Sequence, residues 1–352
     1  MTDSMQNKSY GRALPAGIDI GSTTTKVAVL DPDTGDLLYS DYRRHHADQV
    51  SSVIQIMEQL EQVFPGQTFR FCLTGSGAKP IAEALDLPFV QEVAANAAAL
   101  KRRYQMVGSA IELGGQDAKM IFFQKDKATG ALNVADMRMN GSCAGGTGAF
   151  IDEIASILKV PVQDFNQLAG QGTCVYDISG RCGVYAKTDI QPLLNQGVSK
   201  ADLALSAFHA IAKQTIGGLA QGLEITRPVV FEGGPLTFNP VLVQVFAQRL
   251  GLKEEEVLLP LHPELMVACG AAVSANTMFD GAPCSPAPLL ELLRSGQLRP
   301  QAGGDGPARV CVTPPWLLLF AIAFSVLIGL GSGYYPANKA VRIPALEAIK
   351  SD

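Results

Sequence analysis

At 352 residues, with 47% hydrophobic and 17% charged side chains, the chain has enough apolar material for two cored lobes and too little charge for a disordered one. Its net charge of −5 offers no basic field for a phosphodiester backbone, which argues against a nucleic-acid binder. The seven cysteines are odd in number and scattered, and MTDSMQNKSYGRALPAG contains no apolar leader, so reduced thiols in a cytoplasmic setting are expected.

Residues 1–15 read as a flexible N-terminus. Ala16–Leu30 (AGIDIGSTTTKVAVL) follows as a hairpin, two β-branched strands around a Gly-Ser-Thr turn. Phe69–Thr74 is a short strand leading through Gly75-Ser76-Gly77 into a helix. Ser109–Leu113 and Lys119–Phe123 flank a second glycine turn, and Ala149–Leu158 is an amphipathic helix launched from a glycine loop. Lys200–Gly222 is a long helix with Leu203, Phe208, Ile211, Ile216 and Leu219 on one face. A strand at Val229–Phe231 then ends in Gly233-Gly234-Pro235, and helices at Asn239–Leu250 and Glu264–Ala275 close the series. The punctuation occurs twice, a glycine turn between hairpin strands and then strand–glycine–helix units. This predicts two α/β lobes of similar design within residues 16–303, divided near 100–115 and facing each other across a cleft.

Four turns fall at strand ends or helix starts: Gly21-Ser22-Thr23-Thr24, Gly114-Gly115-Gln116-Asp117, Gly145-Gly146-Thr147-Gly148 and Gly233-Gly234-Pro235. Glycines admit phosphate close to the backbone, and successive N–H groups with hydroxyls form an anion-binding concavity. Asp19 and Asp117 flank such turns, where carboxylates hold Mg²⁺ through water, and Lys26 adds positive charge. Any one turn alone reads more readily as a structural hairpin. Neither GxxxxGK[ST] nor a GxGxxG opening a βαβ unit is present. In this order, over roughly residues 16–276, the turns resemble the actin, Hsp70 and sugar-kinase ATPase superfamily. That resemblance implies a ribonuclease H-like two-lobed α/β fold, phosphate loops at Asp19–Lys26 and Leu113–Asp117, and an adenosine loop at Gly233–Pro235.

Cys143 lies in MNGSCAGGTG immediately before a helix, where N-terminal amides favour a thiolate. Cys182 lies beside Arg181 and Gly183. Both are candidate ligands, two buried free thiols being the alternative, with Cys174 as a competing ligand eight residues before Cys182. Cys72 and Cys269 read as core; Cys284 and Cys311 have no partner spacing.

GIDIGSTTTKVAVL, ELGGQDAKMI, MNGSCAGGTGAFIDEIA and CGVYAKTDI closely resemble the BadF/BadG/BcrA/BcrD-type ATPases, which activate 2-hydroxyacyl-CoA dehydratases or form subunits of benzoyl-CoA reductases. The chain departs from the family's form in reading CAGGTGAF, with Ala149 where a basic residue often stands. The resemblance implies a homodimer sharing one [4Fe–4S] cluster on Cys143 and Cys182 of each copy, MgATP or ADP in the cleft, and Gln116 or Asp117 positioning the attacking water. A ferredoxin- or flavodoxin-type protein would supply the electron, and the dehydratase or a related reductase would receive it. A small-molecule or sugar kinase on the same scaffold is the alternative; it needs a catalytic carboxylate and has no use for the two cysteines. His45-His46 and His209 read as ordinary surface or core residues.

Residues 304–352 are of different character. Trp316–Leu330 is 15 residues without a charge, extendable through Tyr334-Tyr335 to a bilayer span, with Lys339, Arg342 and Lys350 predicting a cytoplasmic C-terminus. This end resembles the last helix of FtsX/MacB-like ABC permeases. A single span in that orientation would place the ATPase where ATP is lacking. The expectation is therefore a junction of a truncated ATPase with a foreign permease end, a membrane anchor being the alternative.

Overall fold

The computed structural model describes residues 10–295 except 105, 141–146, 181–182 and 280–281. In chain order the elements are β1 (Leu14–Ile20), β2 (Thr24–Leu30), β3 (Leu37–Arg44), α1 (Gln49–Val63), β4 (Phe69–Thr74), α2 (Ala78–Ala84) and α3 (Glu92–Arg103). Next come β5 (Ser109–Leu113), β6 (Ala118–Lys125), β7 (Leu132–Met139), α4 (Gly148–Leu158), α5 (Phe165–Ala169), α6 (Gly183–Asn195) and α7 (Lys200–Ala220). The series ends with β8 (Val229–Glu232), α8 (Gly234–Phe238), α9 (Pro240–Leu250), β9 (Val257–Leu258), α10 (Met266–Thr277) and α11 (Pro286–Arg294). The first strand starts two residues ahead of the expected position, because Leu14 and Pro15 already pair with Phe69 and Arg70.

Two sheets repeat one plan. The first has the order β3-β2-β1-β4 and the second β7-β6-β5-β8-β9. In each, an antiparallel meander is joined by a parallel strand beside the first strand of its hairpin (β4 beside β1, β8 beside β5). All seven residues of β1 are buried, as expected for a strand covered on both faces. The edge strands β3 and β7 and the helices α1 and α3 were not anticipated from sequence. Asp48 caps α1 by accepting from Ser51 N, and Ser199 caps α7 by accepting from Asp202 N.

Each sheet is sandwiched between helices. The first packs Ile18, Val29 and Phe69 against α1 and α11 residues such as Ile56, Leu60 and Leu290. The second packs Ile111, Met120 and Phe231 against α4, α7 and α9. The inner face of the first sheet receives α10, which also packs on α3, and α3 covers the inner face of the second. The approach is unusually close. A Cβ on Gly17 would lie 2.0 Å from Ala268 O, and one on Gly270 only 1.7 Å from Ala95 O. Among the described residues no helix is long and apolar enough to cross a membrane; the apolar run at 316–330 lies outside them.

Candidate functional site

The two hairpin turns meet face to face between the lobes. Gly21 N donates to Thr24 O at 2.9 Å and Gly114 N to Asp117 O at 2.8 Å, so each turn is tightly closed. A Cβ on Gly115 would stand 2.3 Å from Thr23 Oγ1, so the second turn accepts the first only because it carries no side chain there. Helix α4 begins on this second turn: Gly148 N donates to Gly114 O (3.0 Å) and Ala149 N to Gly115 O (2.8 Å). Two amides that a helix leaves unpaired are thereby tied to the loop. Gly233, at φ +93°, completes the cluster; a Cβ on it would fall 2.1 Å from Leu113 O, which only glycine tolerates. From the first lobe Tyr42 reaches across, its hydroxyl beside Gly234 and its ring 5.7 Å from that of Phe238.

The charges are arranged in two linked groups. Asp19 is buried and its Oδ2 accepts from Lys26 Nζ at 2.8 Å. Burial alone would lower the Lys26 ammonium, but Asp19, and Glu112 more remotely, outweigh it and hold it above its ordinary value. Gly75, at φ +106°, leaves the space that Asp19 Oδ1 occupies. In the second lobe Lys119 Nζ is surrounded by Glu92 (2.5 Å), Asp117 (2.7 Å) and Glu112 (3.4 Å). Burial opposes its charge, yet these carboxylates overcome it and raise the ammonium. Glu112 and Glu232 are register partners on adjacent strands, and the Asn96 amide donates to both, at 3.3 and 2.9 Å. Complete burial, reinforced by Glu112, pushes the Glu232 carboxyl well above the usual carboxylate range.

The structure thus brings Asp19, Gly21, Ser22, Thr23, Thr24, Lys26, Gly114, Gly115, Gln116, Asp117, Thr147, Gly148, Gly233, Gly234 and Pro235 to one cleft. Gln116 and Ser22 are exposed, whereas Asp117 is engaged by Lys119. Gly145, Gly146, Cys143 and Cys182 lie outside the described residues. Of the other cysteines, Cys72 and Cys269 are packed away, burial pushing each thiol up to about 12, while Cys174 is exposed. One supporting residue escaped the sequence reading. His45, read there as ordinary, is buried with Nε2 3.1 Å from Gly21 O, while its backbone N–H donates to Thr23 O at 3.2 Å. The contact spans 24 residues and leaves no local signal. Nor does the Glu112–Asn96–Glu232 network, which only the pairing of β5 with β8 assembles.

Two sheets of matching order, with glycine turns apposed across the cleft, define the two-lobed ATPases typified by actin and the sugar kinases. Within that class the chain belongs to the BadF/BadG/BcrA/BcrD ATPase family, which it matches over residues 16–275. It is 30% identical over 220 residues to the (R)-2-hydroxyglutaryl-CoA dehydratase activating ATPase of Acidaminococcus fermentans, covering 62% of this chain and 81% of that protein. The crystal structure of component A of the same organism's dehydratase superposes with a TM-score of 0.67 at 26% identity, over 76% of this chain and 99% of that one. The activator of the 2-hydroxyisocaproyl-CoA dehydratase from Clostridium difficile, solved with bound ADPNP, superposes with a TM-score of 0.64 at 23% identity, over 75% and 95% of the respective chains.

Proposed function

We propose that this chain binds MgATP between its lobes and couples hydrolysis to delivery of an electron to a 2-hydroxyacyl-CoA dehydratase or a related CoA-ester reductase. The observation that carries the proposal is the attachment of α4 to the second phosphate turn through Gly148 and Ala149. The helix that follows Cys143 is hydrogen-bonded to the loop that would hold the phosphates, so a rearrangement there is transmitted to the segment bearing the cysteine. The names of the relatives, and the nucleotide analogue bound in one of them, support the same reading.

Asp19 and Asp117 offer oxygen ligands suited to Mg²⁺ through water, with Lys26 and Lys119 neutralising charge beside them. Gln116, exposed at the turn, would orient the attacking water. Cys143 and Cys182 would supply two thiolates from each of two copies to one [4Fe–4S] cluster, whose chemistry is single-electron transfer at low potential. The donor set fits that role. Cys72 and Cys269 are packed into clusters of apolar side chains, whereas α6, which begins directly after Cys182, shares a core with α4. Cytoplasmic ferredoxin- or flavodoxin-type proteins would recharge the cluster.

Purified without oxygen, the protein should be brown, with about four irons and four sulfides per dimer. Cys143→Ala or Cys182→Ala should bleach it while leaving ATP binding intact. A colourless, iron-free protein that phosphorylates a sugar would overturn the proposal.

A further inference from the structure

A second cavity opens between the lobes, and none of the phosphate-turn residues lines it. It encloses about 310 Å³, at the lower end of the range for small-molecule sites. Leu37, Ala99, Met266 and Val273 furnish apolar walls drawn from both lobes and from the two central helices. Its rim is different. Arg102 and Arg103, on the last turn of α3, are exposed and pair with no carboxylate among the described residues. Leu261, 78% exposed, forms an apolar lip.

We propose that this cavity binds a small organic anion with an apolar body, a carboxylate or a phosphate ester, and that its occupancy is coupled to the nucleotide cleft. Charge favours an anion. Two guanidinium groups face one cavity carboxylate, Asp36, while His262 already has Glu264 at 3.7 Å. The partial negative charge of the α3 C-terminus is only about half a unit and cannot cancel two full cations. Arg102 lies across the β2–β3 turn, so close that a Cβ on Gly35 (φ +75°) would meet its Nη2 at 2.3 Å. A guanidinium suits planar, bidentate recognition of an acid group. Aliphatic walls of this size accept a short hydrocarbon rather than a macromolecule.

Two covalent paths lead from this cavity to the cleft. β2 runs from Thr24, at the first phosphate turn, to Leu30 in the cavity wall, its register with β3 shifting between Val29 and Leu30. His262, on the rim, is followed by Pro263, whose carbonyl accepts from Gly233 N at 2.9 Å. An occupant that stabilises one disposition of the lobes must therefore alter nucleotide affinity, and nucleotide must alter its affinity by the same factor. This coupling rests on the assignment of the cleft as a nucleotide site; binding of the anion does not.

Isothermal titration of the full chain with hexanoate, hexyl phosphate and uncharged hexanol tests both parts. Both anions should bind at least tenfold more tightly than hexanol, a difference between the two indicating which acid group is preferred. Arg102→Ala with Arg103→Ala should weaken them tenfold or more, and Arg102→Lys with Arg103→Lys should restore part of the loss. Leu261→Asp, at an exposed position that does not threaten folding, should weaken the anions more than hexanol. Equal affinities in parent and variants, or no anion binding, would overturn the site. Saturating hexanoate should shift the affinity for an ATP analogue at least threefold; an unchanged value refutes the coupling. Hexanoate binding in a protein that binds no nucleotide would sustain the cavity and sink the ATPase assignment instead.

Discussion

Replacing Gly270 with alanine tests the closeness of the two central helices. In an isolated helix the change would stabilise by about 1 kcal/mol, since alanine is the better helix former. Here the added Cβ would stand 1.7 Å from Ala95 O and 2.3 Å from Ala95 C. Both are backbone atoms, so no rotamer relieves the clash, and α10 must part from α3 by roughly 1 Å or more before contact becomes tolerable. Overpacking of this kind costs about 1–3 kcal/mol and occasionally more. A loss of about 3 kcal/mol corresponds to a fall in melting temperature of roughly 6–12 °C at this size. Gly217→Ala, on an exposed face of α7 with no heavy atom within 4 Å, is the control and should gain up to about 1 kcal/mol. Thermal denaturation followed by circular dichroism reads both. Gly270→Ala melting at or above the parent would refute the packing argument.

His45→Ala should weaken ATP-analogue binding about fivefold by freeing the Gly21 carbonyl it contacts, at a stability cost of about 1 kcal/mol; fluorescence titration with urea melts separates the two effects. Glu232 makes stability depend on pH. Its folded-state carboxyl lies well above 4.5, so above that pH the unfolded chain loses a proton the folded one keeps. Stability must then fall with rising pH until the folded value is passed, by at most about 1.4 kcal/mol per pH unit. Glu232→Gln, which mimics the protonated acid, should remove this slope from urea midpoints measured between pH 5 and 8, and parallel curves would disprove it. Brief alkylation of the native protein should label Cys174 well before Cys72 or Cys269, as peptide mass spectrometry would show.

The hairpin turns were legible in the sequence because glycine and hydroxyl residues interrupt runs of β-branched ones. The family resemblance rested on the same stretches. Elements whose identity depends on partners were not legible. α3, EVAANAAALKRR, is too rich in alanine to declare a face until α10 and the second sheet define one. β7 alternates between half-buried and exposed positions, as an edge strand does, and offers little apolar signal. Within the site, Asp19 and Lys26 were visible as neighbours of a turn. Glu92, Asn96, Glu112 and Glu232 became a network only through strand register and helix placement.

The covering of the first sheet by α10 has a consequence for how the protein comes into being. Strands β1, β2 and β4 are complete once residue 74 has been synthesised, but the helix that shields their inner face spans Met266–Thr277. At ribosomal speeds of about 5–20 residues per second, nearly 200 intervening residues keep that surface bare for roughly 10–40 s. Phe69 likewise waits for Cys284 to supply its backbone partner. The nascent amino-terminal half therefore depends on shelter, from its own downstream lobe or from a chaperone, until almost the last helix of the ATPase has left the tunnel.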